Sequence, residues 1–268
     1  MKSLETLQTT RAEFSIGQAI SDGWNIVSKN MGYYILGGIL ALVIGGTAGA
    51  IPYIGGVANN LIVAPCFLAG AIFITWRITI GIPWNDFGDM FKGFNFLQPI
   101  ALSSLIQAFV SLALVALFFM NYLPQLLDIY DLSQGSDGYA NREEIKAIAM
   151  QFFNVKALVL FLILLVIFLF LSAIWAFKTH FIVIYKMQAW PAMEMSRKIA
   201  RHNLFRVIGL YLALGFIVLI SALPCGIGLL FSLPLTITAM YSAFAQITGC
   251  DQTEVDSEMF DFIPPENV

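Results

Sequence analysis

The chain has 268 residues, of which 59% are hydrophobic and 12% charged, with a net charge of −3. Soluble domains carry roughly 25% charged residues, and a chain of this size has too little interior to hide so much apolar surface from water. The balance excludes an ordinary water-soluble domain, offers no basic field for nucleic acid, and points to a polytopic integral membrane protein.

The first apolar run begins near Tyr33, after a stretch that contains Glu5, Glu13 and Asp22, so no cleavable signal peptide is expected and the run is read as a retained helix. Ahead of it, Ser15-Ile-Gly-Gln18 has the form of a capping box, and Ile16, Ile20, Gly23, Trp24 and Val27 fall on one helical face. Spans long enough to cross the hydrocarbon core follow near 32–51, 60–80, 97–121, 157–180, 205–223 and 228–249. In the first, Ala41, Gly45 and Gly49 recur every four residues as a seam on which another helix can approach closely. The turn "AIPYIGG" at Pro52 joins the first two spans and "ALPCGIG" at Pro224 joins the last two, which form either a hairpin or a broken, re-entrant pair. Pro65 and Pro234 lie at equivalent places inside the second and sixth spans, where a missing amide either kinks a helix for packing or frees a carbonyl at a site.

Four polar segments stand between or after the spans. The loop "GIPWNDFGDMFKGF" alternates Trp84, Phe87, Phe91 and Phe94 with Asp86, Asp89 and Lys92, and is read as an interfacial segment that meets headgroups or docks a partner. The segment 124–156 begins with loop composition in "DIYDLSQGSDGY" and continues from Asn141 with a helical stripe of Ile145, Ile148, Phe152 and Phe153, predicting an interfacial helix or a lid. Before the fifth span, Pro191 and Glu194 suit a helix start, and Arg197, Lys198 and Arg201 form a basic stripe that attracts anionic lipid at roughly 1 kcal/mol per cation. The tail 250–268 is acidic, with Phe260, Phe262 and Ile263 as a short partner motif. Lys and Arg concentrate on one side, leaving only Arg142, Lys146 and Lys156 on the other, which predicts both termini in the cytoplasm.

Laying Asn30 over Asn203 aligns an amphipathic helix, a span, a Pro/Gly turn and a span ending at Gly81 with the same series ending at Gly249. The expected architecture is therefore all-α: a membrane helix bundle of about six transmembrane helices with interfacial amphipathic helices and an internal parallel repeat. One copy covers about 14–81, a central hairpin about 97–180, and the second copy about 191–249. The strings "FSIGQAISDGWNIVSKNMG", "RITIGIPWNDFGDMFKGF" and "AMEMSRKIARHN" with "LPCGIGLLFSLPLTITAMYSAF" resemble a bacterial integral membrane family of unknown function. That family is related to the membrane domain attached to some glycerophosphodiester phosphodiesterases. The resemblance implies a bundle of about six spans in the bacterial inner membrane, without the phosphodiesterase activity, which belongs to a separate soluble domain.

No catalytic constellation is legible. No Asp or Glu falls inside a predicted span, and Arg77, Lys178, His180 and Arg206 lie within about a turn of span ends, where snorkelling accounts for them. His180 and His202 lack a nearby carboxylate pair, and Cys66, Cys225 and Cys250 match no metal or disulfide pattern, so no metal, cofactor or enzymatic activity is expected. Two functional readings stand. One is a non-enzymatic membrane protein acting through lipid or protein contacts as scaffold, accessory subunit or envelope-homeostasis factor. The other is a transporter or channel for a small or amphipathic solute.

Overall fold

The structure is a computed structural model that describes residues 12–82, 87–120, 122–134, 145, 155–223, 226 and 228–251; among these every regular element is helical. In chain order they are α1 (Ile16–Lys29), α2 (Met31–Gly49), α3 (Gly55–Ala58), a π turn (Asn59–Val63), α4 (Ala64–Thr79) and a 3-10 helix (Phe87–Phe96). There follow α5 (Leu97–Met120), α6 (Leu123–Gln134), α7 (Val155–Ile174), α8 (Lys178–Ile184), α9 (Ala189–His202), α10 (Leu204–Ala222) and α11 (Leu229–Thr248). Six apolar helical stretches are long enough to cross a bilayer: Met31–Gly49, Gly55–Thr79, Gly88–Leu117, Val155–Ile184, Leu204–Ala222 and Leu229–Thr248. The chain is a multi-pass membrane protein by this measure, and its exposed large side chains agree: Phe109, Leu112, Val166 and Phe216 would each face water at a cost that lipid removes.

The chain divides into two units, residues 1–104 with 173–268, and residues 105–172. In the first unit α11 is the central helix, with 67% of its apolar window buried. Helix α1 lies antiparallel along it. Gly23 makes that approach possible, because a β-carbon there would meet the Ala239 amide nitrogen at 2.7 Å. Thr238 Oγ1 donates across the same joint to the Gly23 carbonyl at 3.0 Å. The buried face of α1 is Ala19, Gly23 and Val27, while Trp24 points outward, so the apolar face is turned from the periodicity reading to fit α11. The capping box at Ser15 is also divided differently. Ser15 Oγ accepts from the Gln18 amide, but the Ser15 amide donates to Gln246 Oε1 at 2.9 Å, binding the helix start to the end of α11.

Two single-residue joints share one geometry. Between α1 and α2, the Asn30 amide donates to the Val27 carbonyl and its side chain to the Ile26 carbonyl at 3.0 Å. Between α9 and α10, the Asn203 amide donates to Ala200 and its side chain to Ile199 at 3.4 Å. Each pair of helices has 14 residues before the asparagine and 19 after it. The third helix of each series ends on a left-handed glycine, Gly81 (φ 83°) and Gly249 (φ 65°), a conformation that glycine adopts without a β-carbon clash. The two hairpins differ at the turn: Tyr53 takes the left-handed conformation in the first (φ 64°) and Gly226 takes it in the second (φ 77°).

The second unit consists of the outer part of α5, α6 and the greater part of α7. Residues Leu123–Gln134 are helical, where the composition of 128–134 reads as loop; the aliphatic spacing of Leu123, Leu126, Leu127 and Tyr130 outweighs its two aspartates. Of the stripe expected from Asn141 to Phe153, only Ile145 is described. Helix α7 stops at Ile174, and a short turn precedes α8, so the predicted span 157–180 is one helix and part of another.

Candidate functional site

Three helices of the first unit enclose an elongated cavity of about 540 Å³. Helix α2 contributes Tyr34, Gly38, Ala41 and Gly45; α4 contributes Ala64, Phe67, Leu68 and Ala71; α11 contributes Leu233, Pro234, Thr236 and Ile237. The space exists because α2 presents small residues there: around the Gly38 β-position nothing lies within 4 Å. From Tyr34 to Gly45 the groove runs about 16 Å at the helical rise, roughly half the hydrocarbon core. Its lining is apolar except at a few points. The Tyr34 hydroxyl is satisfied by Thr75 Oγ1 at 2.8 Å. Asn59, on the π turn, has a buried Oδ1 without a hydrogen-bond partner among the described residues, and this oxygen would lie 2.9 Å from a β-carbon on Gly45.

The π turn explains how Asn59 reaches this place. Pro65 has no amide to give, and the helix ahead of it widens over Asn59–Val63 before α4 resumes with Pro65 in its first turn. Pro234 sits inside α11 on the opposite wall. Of the two prolines expected inside spans, Pro234 lines the groove and Pro65 follows the lining Ala64. Of the small-residue seam, Ala41 and Gly45 face the groove, while the Gly49 β-position is open; the tightest backbone approach there is Gly55 against the Ala48 and Gly49 carbonyls.

Beyond one end of the groove, Met90 introduces an ionic cluster. Arg77 Nη1 bonds Asp89 Oδ2 at 2.8 Å, and Lys92 Nζ reaches Asp89 Oδ1 at 2.6 Å. Arg77 and Asp89 are buried, and both cations lie over the Phe73 ring, at 5.9 and 5.7 Å. Snorkelling therefore does not describe Arg77. The 3-10 helix packs its backbone onto α4, with Gly93 against the Cys66 carbonyl and Gly70 against the Met90 carbonyl, and no side chain fits between them. Phe91 and Phe94 meet the Phe67 ring edge-on at 5.6 Å, with Phe91 still 42% exposed. Trp84 lies outside the described residues, as does Asp86; the Phe87 side chain is likewise not described.

A smaller cavity, about 210 Å³, adjoins the groove across Leu68, Thr236 and Ile237, which line both. Its polar members are Thr179, His180, Tyr211 and Thr236. His180 is 4% exposed, stacks on Phe244 at 5.1 Å, and has neither ring nitrogen hydrogen-bonded among the described residues. Lys178 is buried too, donating to the Ser103 carbonyl at 3.2 Å. Position near a span end misled the sequence reading of both, because α8 is buried at Lys178 and from His180 to Ile184 rather than exposed.

The basic stripe lies on α9. Arg197 and Arg201 are exposed, and Arg197 grips Glu194 with two bonds, Nε to Oε2 at 2.7 Å and Nη2 to Oε1 at 2.6 Å, which hold the Glu194 carboxyl below its usual range. Lys198 is half-buried beside them. Arg206 pairs with Glu13, and Asn203 Nδ2 donates to the Ala12 carbonyl, so this end of α10 anchors the residues before α1. Pro52 is exposed at the first turn; Pro224 and Cys225 lie outside the described residues, as does the tail after Asp251. Cys250 is fully buried, and burial pushes its thiol up to about 11. No group of three or more metal-ligating side chains occurs among the described residues. Comparison with family models, with curated proteins and with solved structures finds no match to this chain.

Proposed function

We propose that this is a non-enzymatic protein of the bacterial inner membrane, with both termini in the cytoplasm, that acts by holding the acyl chain of a membrane lipid in the groove between α2, α4 and α11. The observation that carries the reading is the groove itself. It is apolar, set in helices of membrane-spanning length, about half a bilayer long, and kept open by Gly38, Ala41 and Gly45. The basic face of α9 and the Lys92 end of the 3-10 helix supply cations for anionic headgroups at the cytoplasmic surface. A protein partner would meet the aromatic loop around Trp84, Phe87 and Phe91, or the acidic tail. Scaffold, accessory subunit and envelope homeostasis are roles compatible with such contacts.

The matching asparagine joints, helix lengths and terminal glycines support a duplicated unit, with Gly70–Ala71 of α4 and Thr238–Ala239 of α11 serving as corresponding docking points for a neighbouring segment. A second reading, transport of an amphiphile along the groove, is favoured by the π turn and Pro234 on facing walls, where backbone carbonyls leave the regular helical ladder.

The test is native mass spectrometry of the protein released from native-lipid nanodiscs. Wild type is expected to retain a lipid or other amphiphile, and Gly38→Leu, which fills open space without a clash, is expected to lose it at unchanged melting temperature. Equal retention by the two proteins would contradict the proposal.

A further inference from the structure

The groove leaves a question at its side: what the His180 cavity is for. At about 210 Å³ it is smaller than ordinary ligand pockets, which start near 300 Å³, so it suits part of a ligand better than a whole one. It adjoins the groove, sharing Leu68, Thr236 and Ile237 as wall, so a head and a tail placed in the two spaces would be separated only by these side chains. A neutral imidazole has one N–H donor and one acceptor nitrogen, and both are buried here without partners among the described residues. Burying such groups unsatisfied is costly. The rest of the wall does not answer them: Leu68, Ile72, Ala176, Ile237 and Met240 are apolar, and Phe244 takes the ring face. Hydroxyls able both to donate and to accept line this wall at Thr179, Tyr211 and Thr236, of which Thr236 already donates to the Leu233 carbonyl.

We infer that His180 and Tyr211 form the head subsite for a single-chain amphiphile with a hydroxyl or carboxyl head, whose tail occupies the adjoining groove; this rests on the acyl-chain reading above. A hydroxyl or a protonated carboxyl donates to the acceptor nitrogen of His180 and accepts from Tyr211. Neither Lys nor Arg is among the described residues lining the cavity to balance a phosphodiester anion. The stacking on Phe244 fixes the ring plane, so the head is read by direction as well as by polarity.

The chain has only two histidines, His180 and His202, so the ring-nitrogen NMR spectrum of 15N-histidine protein is readily assigned. Wild type in phosphatidylcholine nanodiscs is titrated with palmitic acid, hexadecanol and hexadecane. Palmitic acid and hexadecanol are expected to shift the His180 signals saturably, leaving His202 unmoved, and hexadecane to leave both in place. By native mass spectrometry, His180→Phe, which keeps the stacking, is expected to bind palmitic acid at least tenfold more weakly, and His180→Gln to recover part of the loss. Palmitic acid retained in the wild type and lost from Gly38→Leu, but without a His180 shift, would overturn the head subsite and leave the groove reading intact. Equal His180 shifts with hexadecane would mean that the signal follows filling of the groove and not a head group, which also overturns it. Failure of all three probes to bind would remove the groove reading together with the subsite.

Discussion

At Gly23 a single missing β-carbon decides how α1 meets α11. Gly23→Val would drive a side chain into the Ala239 backbone, which cannot swing away as a long side chain would, and a loss of about 1–3 kcal/mol is expected. A melting curve in detergent checks it, and an unchanged midpoint would mean that α1 is not docked as described. Asp89 carries a larger load, since it faces Arg77 and Lys92 together. Asp89→Ala strands a buried Arg77 and should cost about 3–5 kcal/mol, whereas removing both partners as Arg77→Met with Asp89→Ala should return much of that. Breaking the exposed Arg197–Glu194 pair by Glu194→Gln should leave the melting temperature nearly unchanged, despite its short bonds, because solvent screens it. Cys250 gives a pH signature. Its thiol rises from 9.0 to about 11 by burial, so the folded state holds the proton more tightly than the unfolded chain. The stabilisation is complete below about 9 and is lost as pH rises through about 11. In a variant with Cys66 and Cys225 replaced, maleimide labelling at neutral pH should be slow and become fast on unfolding; fast labelling of the folded protein would contradict the burial.

The elements themselves were legible where length and apolarity decide them. Each expected span overlaps one of the six apolar helical stretches; the third stretch begins at Gly88 rather than 97 because the 3-10 helix runs into it, and the second begins at Gly55 rather than 60. The Ser15 cap was legible from local chemistry, but its second bond to Gln246 was not, because that partner lies 231 residues away. Likewise Asp89 reads as an interfacial charge in sequence; its burial depends on Arg77 and on the Gly70–Gly93 contact, both set by tertiary packing. The prolines were recognisable as breaks in the helical ladder, but the groove between them was not, since its width depends on which faces α2, α4 and α11 turn inward. His180 was missed because its burial depends on Phe177 and on Phe244 of α11, which packs on the ring from a distant part of the chain. Within the groove, Gly45→Leu should clash with Asn59 and lower the melting temperature, in contrast to Gly38→Leu, whose new side chain enters free space. Equal stability of the two variants would show that the seam is not in close contact.

For the molecule as a whole, the topology proposed above has both termini on one side of the membrane and residues 135–154 on the other. Reporter fusions at the two termini should agree with each other and disagree with an insertion after Gln134. The central claim is narrower: the space between α2, α4 and α11 is a seat for hydrocarbon. Its most direct test is electron cryomicroscopy of the protein in nanodiscs of its own lipids. The account predicts a continuous rod of non-protein density running from Tyr34 past Gly38 to Gly45, with Pro234 and Ile237 on its far side. A groove closed by repacked side chains, or one holding only separate water-sized peaks, would contradict it.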